Sequence, residues 1–336
     1  MISVIIPCFN EEKFIAKCLD SIISQDLPRG ELEVLVVDGM SNDRTREIVK
    51  KYCQKYDFIR LLNNPDKTTP FAMNIGIKNA KGEFIAKMDA HTIYEKNYLS
   101  LCVEGLKRHN ADNAGGVIIS FSSENTLASK SIAMCMSSRF GGWSSFRTGA
   151  LSPKEVDAVA FGCFRKELFS EIGLYNTELA RSQDMELNLR IKKNGGKIML
   201  IPDAKGYYYY SKNNLAIFFS HNFIDGLWVF YPLKFGRKAF SFRHIIPFLF
   251  VLSLLCLGVL SFFSVYFLWL LILDVGLYLF FSLYFSYKIA IKEKSIRLLF
   301  LMPLVFGARH IGYGLGSIFG IIWIFVKKKK QVITTK

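Results

Sequence analysis

The first two hundred residues alternate short apolar runs with segments of helical period. Residues 2–7 are a β-rich run, and residues 11–25 carry apolar side chains at 14, 15, 18, 19, 22 and 23, the spacing of one helix face. Residues 32–37 form a continuous apolar run that stops at Asp38. The alternation continues with a helix over 43–56, a short strand over 59–62 and a helix over 69–80. It then gives a strand over 83–88 stopping at Asp89, a helix over 95–109 and a strand over 116–120. Strands and helices in this order predict an α/β fold built on a doubly wound, mostly parallel sheet. Ligands of such sheets bind beyond the carboxyl ends of the strands. Asn10, Asp38 and Asp89 each fall just past a predicted strand end, so they are expected to converge on one crevice.

Residues 121–150 lose this periodicity and read as a surface or active-site loop. A strand over 156–164 leads into a helix near 166–172. A helix over 183–194 ends at Gly195 and Gly196, and a strand over 197–201 follows. Near Ala216 the pattern changes. Residues 218–235 are aromatic and amphipathic, bounded by Lys234, Arg237, Lys238 and Arg243, which predicts an interfacial helix. Residues 245–287 hold a single charge, Asp274. A spanning helix takes roughly 20 residues, so this stretch accommodates two. After a basic loop over 288–297, the apolar stretch 298–326 is interrupted by Arg309 and His310 and followed by Lys327–Lys330. It reads either as a third span or as a re-entrant segment. Three regions result: 1–215, an interfacial segment 216–243, and a helical membrane region 244–336.

Charge sharpens this division. The chain carries a net +15, but Lys234 onward holds 14 Lys and Arg against 2 acids, a net +12, and the first 233 residues only +3. The basic excess therefore borders the apolar stretches, as expected of positive-inside anchoring and attraction to anionic lipid, and not of a nucleic-acid groove. Hydrophobic residues at 51% and a mean hydropathy of +0.24 exclude global disorder. The seven cysteines form no CxxC pair and read as reduced, mostly buried thiols. Residues 1–7 have no basic n-region and no long h-region, so they read as a strand and not a signal peptide.

Four short segments carry candidate chemistry. In residues 7–12, Pro-Cys-Phe-Asn-Glu-Glu, a strand runs into a polar turn; Asn10 suits a helix cap, Phe9 could stack on a base and Glu11 could accept from a base or ribose donor. In residues 35–45, Asp38 ends an apolar strand where an acid meets ribose or base donors, while Asp43 suits a helix N-cap. No GxGxxG accompanies it, so the phosphate cradle of a dehydrogenase is absent. In Lys87-Met88-Asp89-Ala90-His91, an acid and an imidazole two residues apart share one side of an extended chain, where both can bind one divalent cation. In residues 182–190, Asp184 opens a helix; it suits either an acidic first turn or a base that takes a proton from a hydroxyl, with Glu186 and Arg190 as an i,i+4 pair.

These segments, in this order over residues 1–210, resemble the family 2 glycosyltransferases of GT-A fold. The ending Ala308-Arg309-His310-Ile311-Gly312-Tyr313-Gly314 resembles the succinoglycan-type glucosyltransferase branch, which also carries Asp-Ala-His. The resemblance implies inverting transfer of a hexose from a nucleotide-sugar, UDP-linked, to an acceptor hydroxyl. Pro7, Phe9, Glu11 and Asp38 would hold the nucleoside. Asp89 would touch the ribose and the metal, His91 would stand at the second acid of the usual Asp-x-Asp, and Asp184 would be the catalytic base. A divalent metal, Mn or Mg, is implied, with the neutral His91 favouring Mn. Gln183 replaces the usual Glu of a Glu-Asp pair, and the Gln-x-x-Arg-Trp signature of processive synthases is absent. Spanning segments beside a transfer domain imply a polyprenyl-diphosphate-linked acceptor in exopolysaccharide biosynthesis, with Arg237, Lys238, Arg243, Arg309 and His310 available either to its phosphates or to plain anchoring. The expected setting is the cell (inner) membrane, with the catalytic domain on the cytoplasmic face. A polyprenyl-phosphate hexose synthase and a non-catalytic nucleotide-sugar-binding membrane module are the alternatives.

Overall fold

A computed structural model describes residues 1–122, 124–142, 144–210, 214–235 and 242–326. The basic positions Arg237, Lys238 and Lys327–Lys330 lie outside the described residues, as does the side chain of Arg243.

The chain opens with β1 (Ile2–Cys8), α1 (Ile15–Ile23), β2 (Leu32–Asp38), α2 (Thr45–Lys55), β3 (Ile59–Asn63) and α3 (Thr69–Asn79). Next come β4 (Phe84–Lys87), β5 (Thr92–Tyr94), α4 (Tyr98–His109), β6 (Asn113–Ser122), α5 (Leu127–Ser137) and α6 (Ser145–Thr148). Then follow β7 (Lys154–Glu155), β8 (Cys163–Arg165), α7 (Leu168–Glu171), α8 (Gln183–Lys193) and β9 (Ile198–Tyr210). The C-terminal helices are α9 (Leu215–Val229), α10 (Phe242–Leu260), α11 (Val265–Lys292) and α12 (Arg297–Val326).

One sheet has the order β3-β2-β1-β4-β8-β6-β9-β5, with β7 on β9. The β3-β2-β1-β4 half is parallel, as the strand–helix alternation predicts; the strands beyond β4 extend it with antiparallel pairings. All seven residues of β2 are buried, the pattern of a central parallel strand covered on both faces. Its one buried acid before the strand end, Glu33, is satisfied by the Ser3 hydroxyl at 2.5 Å and the Lys81 amide at 2.9 Å. Gly76 lets α3 lie directly on β1, since a Cβ there would come within 2.5 Å of the Ile5 side chain. The register pairs Cys8 with Asp38 and Ile5 with Lys87, so β1, β2 and β4 finish near one edge. The seven cysteines are free thiols.

Two expectations are corrected, and one strand, β5, is an addition to the predicted set. The predicted strand over 156–164 is a strand only at β8; the remainder follows bends. The stretch 121–150, read as a loop, contains α5, whose cap is the Thr126 hydroxyl accepting from the Ser129 amide at 3.2 Å. Half of the residues α5 buries are Ser or Ala, so its apolar face carries too weak a period to register from sequence. Three-residue β5 was too short to show a period at all, yet it pairs with β9 through Thr92 and Tyr208.

The described residues divide into two compact units, 1–119 with 149–209, and 120–148 with 210–326. Within the second, α9 lies along α12. Gly312, Gly316 and Gly320 recur every fourth residue on α12, and a Cβ at Gly320 would come within 2.5 Å of the Leu227 carbonyl. Small residues at this spacing let two backbones approach as helices do in membranes. Residues 298–326 lie within the single continuous helix α12, with no re-entrant break. Residues 265–292 and 297–324 are long and apolar enough to cross a membrane. The apolar part of α10, His244–Leu260, is shorter than the roughly 20 residues a span takes. Arg309, expected to be open to phosphates, donates to the Gly141 carbonyl and, at 2.7 Å, to Asn222 Oδ1, and His310 lies 2.9 Å from the Phe140 carbonyl. Both side chains hold the 140–141 backbone against α12.

Candidate active site

The loops after β1 and β2 are stitched to one another. Asn10, in the left-handed region at φ 57°, donates its N–H to Ser41 Oγ at 2.9 Å and accepts from the Asn42 N–H at 3.0 Å. Asn tolerates that conformation better than most residues. The Glu11 N–H donates to Thr45 Oγ1 at 2.8 Å. Asp43 accepts from the Glu12 N–H and from the Thr45 N–H at 2.9 Å; the N-cap of α2 is Arg44, so Asp43 sits one residue before the cap position expected of it. Slight burial opposes its ionisation, but these Thr45 and Glu12 donors outweigh it and hold the Asp43 carboxyl below the ordinary carboxylate range. On this stitched rim Phe9 and Met40 are both exposed, while Pro7 is half-buried in β1.

Asp38 is fully buried. One oxygen accepts from the Ser41 hydroxyl at 2.5 Å; the other accepts from the Ser41 N–H at 3.0 Å and from Arg46 at 2.5 Å. Arg46 in turn donates to Asn63 at 2.8 Å. The carboxylate expected at the nucleoside is thus engaged in holding the loop after β2.

Beyond β4, the Asp89 N–H donates to the Tyr94 hydroxyl at 2.8 Å. His91 Nδ1 lies 2.9 Å from Glu11 Oε1, and a carboxylate only accepts, so the proton is on Nδ1. The imidazole also stands edge-on to Tyr208, with centroids 4.7 Å apart. Among the described residues no group of three or more His, Cys, Asp or Glu forms a cage for a metal. The donor set does fit a cation that takes most of its ligands from a substrate's phosphates. Such a cation needs only one or two protein donors, and a carboxylate behind an imidazole, as Glu11 stands behind His91, is the usual way of orienting a metal-binding histidine.

Asp184 sits in the first turn of α8, its side chain 43% exposed, with Oδ2 2.5 Å from the Nζ of Lys87. Lys87 is buried. Burial pushes its pKa down, but Asp184 and Asp89 outweigh that and hold the ammonium above the ordinary lysine value. Sequence reasoning passed over Lys87. Its signal was a lysine inside an otherwise apolar strand, two residues before Asp89 and so on the same side of the chain.

Two residues after Asp184, the fully buried Glu186 accepts two hydrogen bonds from Arg190, both at 2.9 Å. Arg190 also donates to the carbonyls of Ile172, Gly173 and Leu174. The anticipated i,i+4 pair is present and buried, and through Arg190 it also ties α8 to the 172–174 turn. That turn leads to Tyr175, whose backbone exchanges two hydrogen bonds with Asn74, both at 2.9 Å. Among the described residues the buried Tyr175 hydroxyl has no hydrogen-bond partner, nor does Gln183 Oε1. Burial, then Asp184, raise the Tyr175 pKa well above its ordinary value.

Residues 3–173 match the profile of glycosyl transferase family 2. Over 274 residues, 78% of its length, the chain is 32% identical to the dolichyl N-acetyl-alpha-D-glucosaminyl phosphate 3-beta-D-2,3-diacetamido-2,3-dideoxy-beta-D-glucuronosyltransferase of Methanococcus voltae, of which it covers 83%. Over 256 residues it is 26% identical to the succinoglycan biosynthesis protein ExoA of Rhizobium meliloti, covering 71% of this chain and 76% of that one. Among solved structures, the mannosyltransferase PcManGT from Pyrobaculum calidifontis, in complex with GDP-Man and Mn²⁺, superposes with a TM-score of 0.64 at 18% identity, over 95% of this chain and 87% of that one. At that identity the likeness is one of fold, the GT-A fold.

Proposed function

The chain belongs to glycosyl transferase family 2, and from that membership we propose that it moves a hexose from a UDP-sugar to a hydroxyl of a lipid-linked saccharide, with inversion at the anomeric carbon. The observation that carries this reading is the half-exposed Asp184 carboxylate, anchored by Lys87 two residues before Asp89. In this reading Asp184 takes the proton of the acceptor hydroxyl as that oxygen attacks the anomeric carbon from the face opposite the leaving diphosphate. One displacement with one base leaves no covalent intermediate, which inverts the configuration. Phe9 and Met40 offer the exposed apolar rim on which the nucleoside base stacks, beside Pro7. Asp38 serves the nucleoside through the loop it holds. Asp89 and His91 would hold a divalent cation, Mn or Mg, which when bound neutralises charge on the departing diphosphate. Glu11 orients His91 through Nδ1.

The lipid-linked acceptor is supported by the dolichyl phosphate-linked sugar in the Methanococcus relative's name and by α11, whose apolar residues are exposed nearly all round. The basic excess from Lys234 onward favours anchoring at the inner membrane with the catalytic unit on its cytoplasmic face. The test is incubation of membranes containing the protein with UDP- and GDP-sugars, with and without Mn²⁺ or Mg²⁺. The expected result is metal-dependent UDP release and a lipid-linked saccharide heavier by one hexose. A monosaccharide-phospho-lipid product would make it a polyprenyl-phosphate hexose synthase, and binding without turnover would make it a non-catalytic module.

His91→Ala is expected to raise the metal concentration for half-maximal activity by roughly 10–100-fold, with a smaller shift in the same direction for Glu11→Gln, which weakens the orienting contact. A metal titration of UDP release measures both. An unchanged midpoint in His91→Ala removes the imidazole from the metal site.

A further inference from the structure

Lys87 occupies a place where an ammonium is costly. It lies on β4, whose other residues, Phe84, Ile85 and Ala86, are buried and apolar, and it is itself only 7% exposed. A buried charge of this kind persists only when paired. Its partner is Asp184, 97 positions later and on another element, at 2.5 Å, and the two differ sharply in exposure: the lysine side chain 9%, the aspartate 43%. This is not an ion pair of a solvated surface, and it is not one closed inside a core. From the carboxyl end of β4 the ammonium grips one oxygen of a carboxylate whose side chain is partly open to solvent. A small cavity lined by Asn113, Phe164, Leu187 and Asn188 adjoins both side chains.

We infer that Lys87 is the positioning residue of the transfer reaction, pinning Asp184 Oδ2 so that the other carboxylate oxygen is held ready for the acceptor hydroxyl. The inference rests on the reading of Asp184 as the base. An aspartate in the first turn of a helix, on a stem of one methylene, has few orientations, and a single anchor at one oxygen removes most of the remaining rotation about its terminal bond. Misplacing a reacting group by about 1 Å costs on the order of 10²-fold in rate, so this anchor contributes to turnover and not to donor affinity.

The test uses the full-length protein in detergent micelles, with UDP-glucose, UDP-galactose and UDP-N-acetylglucosamine as donors and a polyprenyl-diphosphate-linked monosaccharide as acceptor. Wild type, Lys87→Met, Lys87→Gln, Asp184→Asn and the Lys87→Met/Asp184→Asn double variant are compared for kcat, donor KM and UDP binding. Lys87→Met is expected to lower kcat by on the order of 10²-fold with donor KM within about twofold, and Lys87→Gln, which retains a donor amide, to lose less. The double variant is expected to be no slower than Asp184→Asn alone, because the lysine acts through the aspartate. A folded Lys87 variant with wild-type kcat while Asp184→Asn is inactive overturns the inference and leaves the base intact. Additive losses in the double variant, or loss of fold in both Lys87 variants, overturn it as well by making the lysine a structural charge. Undiminished transfer by Asp184→Asn, or no UDP release by wild type from any donor, instead refutes the underlying reading of the site.

Discussion

Asp184→Asn is expected to lower hexose transfer by roughly 10²–10⁴-fold, the usual cost of removing a general base. UDP binding is expected to stay within about twofold of wild type. The substitution is nearly isosteric, and the amide oxygen can still accept from Lys87, so α8 keeps its place against β4. What is lost is the ability to take a proton from an attacking hydroxyl. The rim at Phe9 and Met40, where the proposal places the nucleoside, belongs to other loops. Single-turnover UDP release together with equilibrium UDP binding separates the two. Parallel loss of rate and affinity would assign Asp184 to structure and not to chemistry.

Glu186→Ala is expected to destabilise the catalytic unit by about 3–5 kcal/mol, the cost of breaking a buried ion pair by deleting one partner. Glu186 is fully buried, and its two oxygens receive both hydrogen bonds that Arg190 directs at it. With the carboxylate gone, the guanidinium keeps only the carbonyls of Ile172, Gly173 and Leu174, a partly buried charge without a counter-charge. Activity falls with stability, because the same first turns of α8 carry Asp184 two residues earlier. Thermal unfolding followed by intrinsic fluorescence checks this. Glu186→Gln is expected to lose less, since it keeps an acceptor for one of the two bonds. A melting transition within a degree or two of wild type in Glu186→Ala would show that the pair is dispensable.

Both expectations depend on contacts at very different sequence distances, and legibility in the sequence follows that distance. The Glu186–Arg190 pair is four residues apart, and its existence could be read from helical spacing; its burial could not, because that depends on the 172–174 turn folding over α8. The pairing of Glu11 with His91 joins residues 80 apart and forms because β1 lies beside β4 in the sheet order. Glu11 reads in the sequence as a nucleoside ligand, and the structure brings its carboxylate to an imidazole. Asp38 shows the same division. That an acid ends a buried strand is visible in the sequence, while its engagement by Ser41 and Arg46 depends on how the following loop turns back.

The linear order of apolar and polar residues was sufficient for the parallel β1, β2 and β4, the helices between them, the acids at the strand ends and the apolar length of α11 and α12, because each is set by burial of residues near one another in the chain. Tertiary structure alone decided that Lys87 grips Asp184, that Glu11 backs His91, and that Arg309 and His310 hold a backbone segment against α12. Each of these joins groups some 80 to 170 positions apart. Which partner a buried charge finds is governed by strand order and helix docking, and neither leaves a mark in local periodicity.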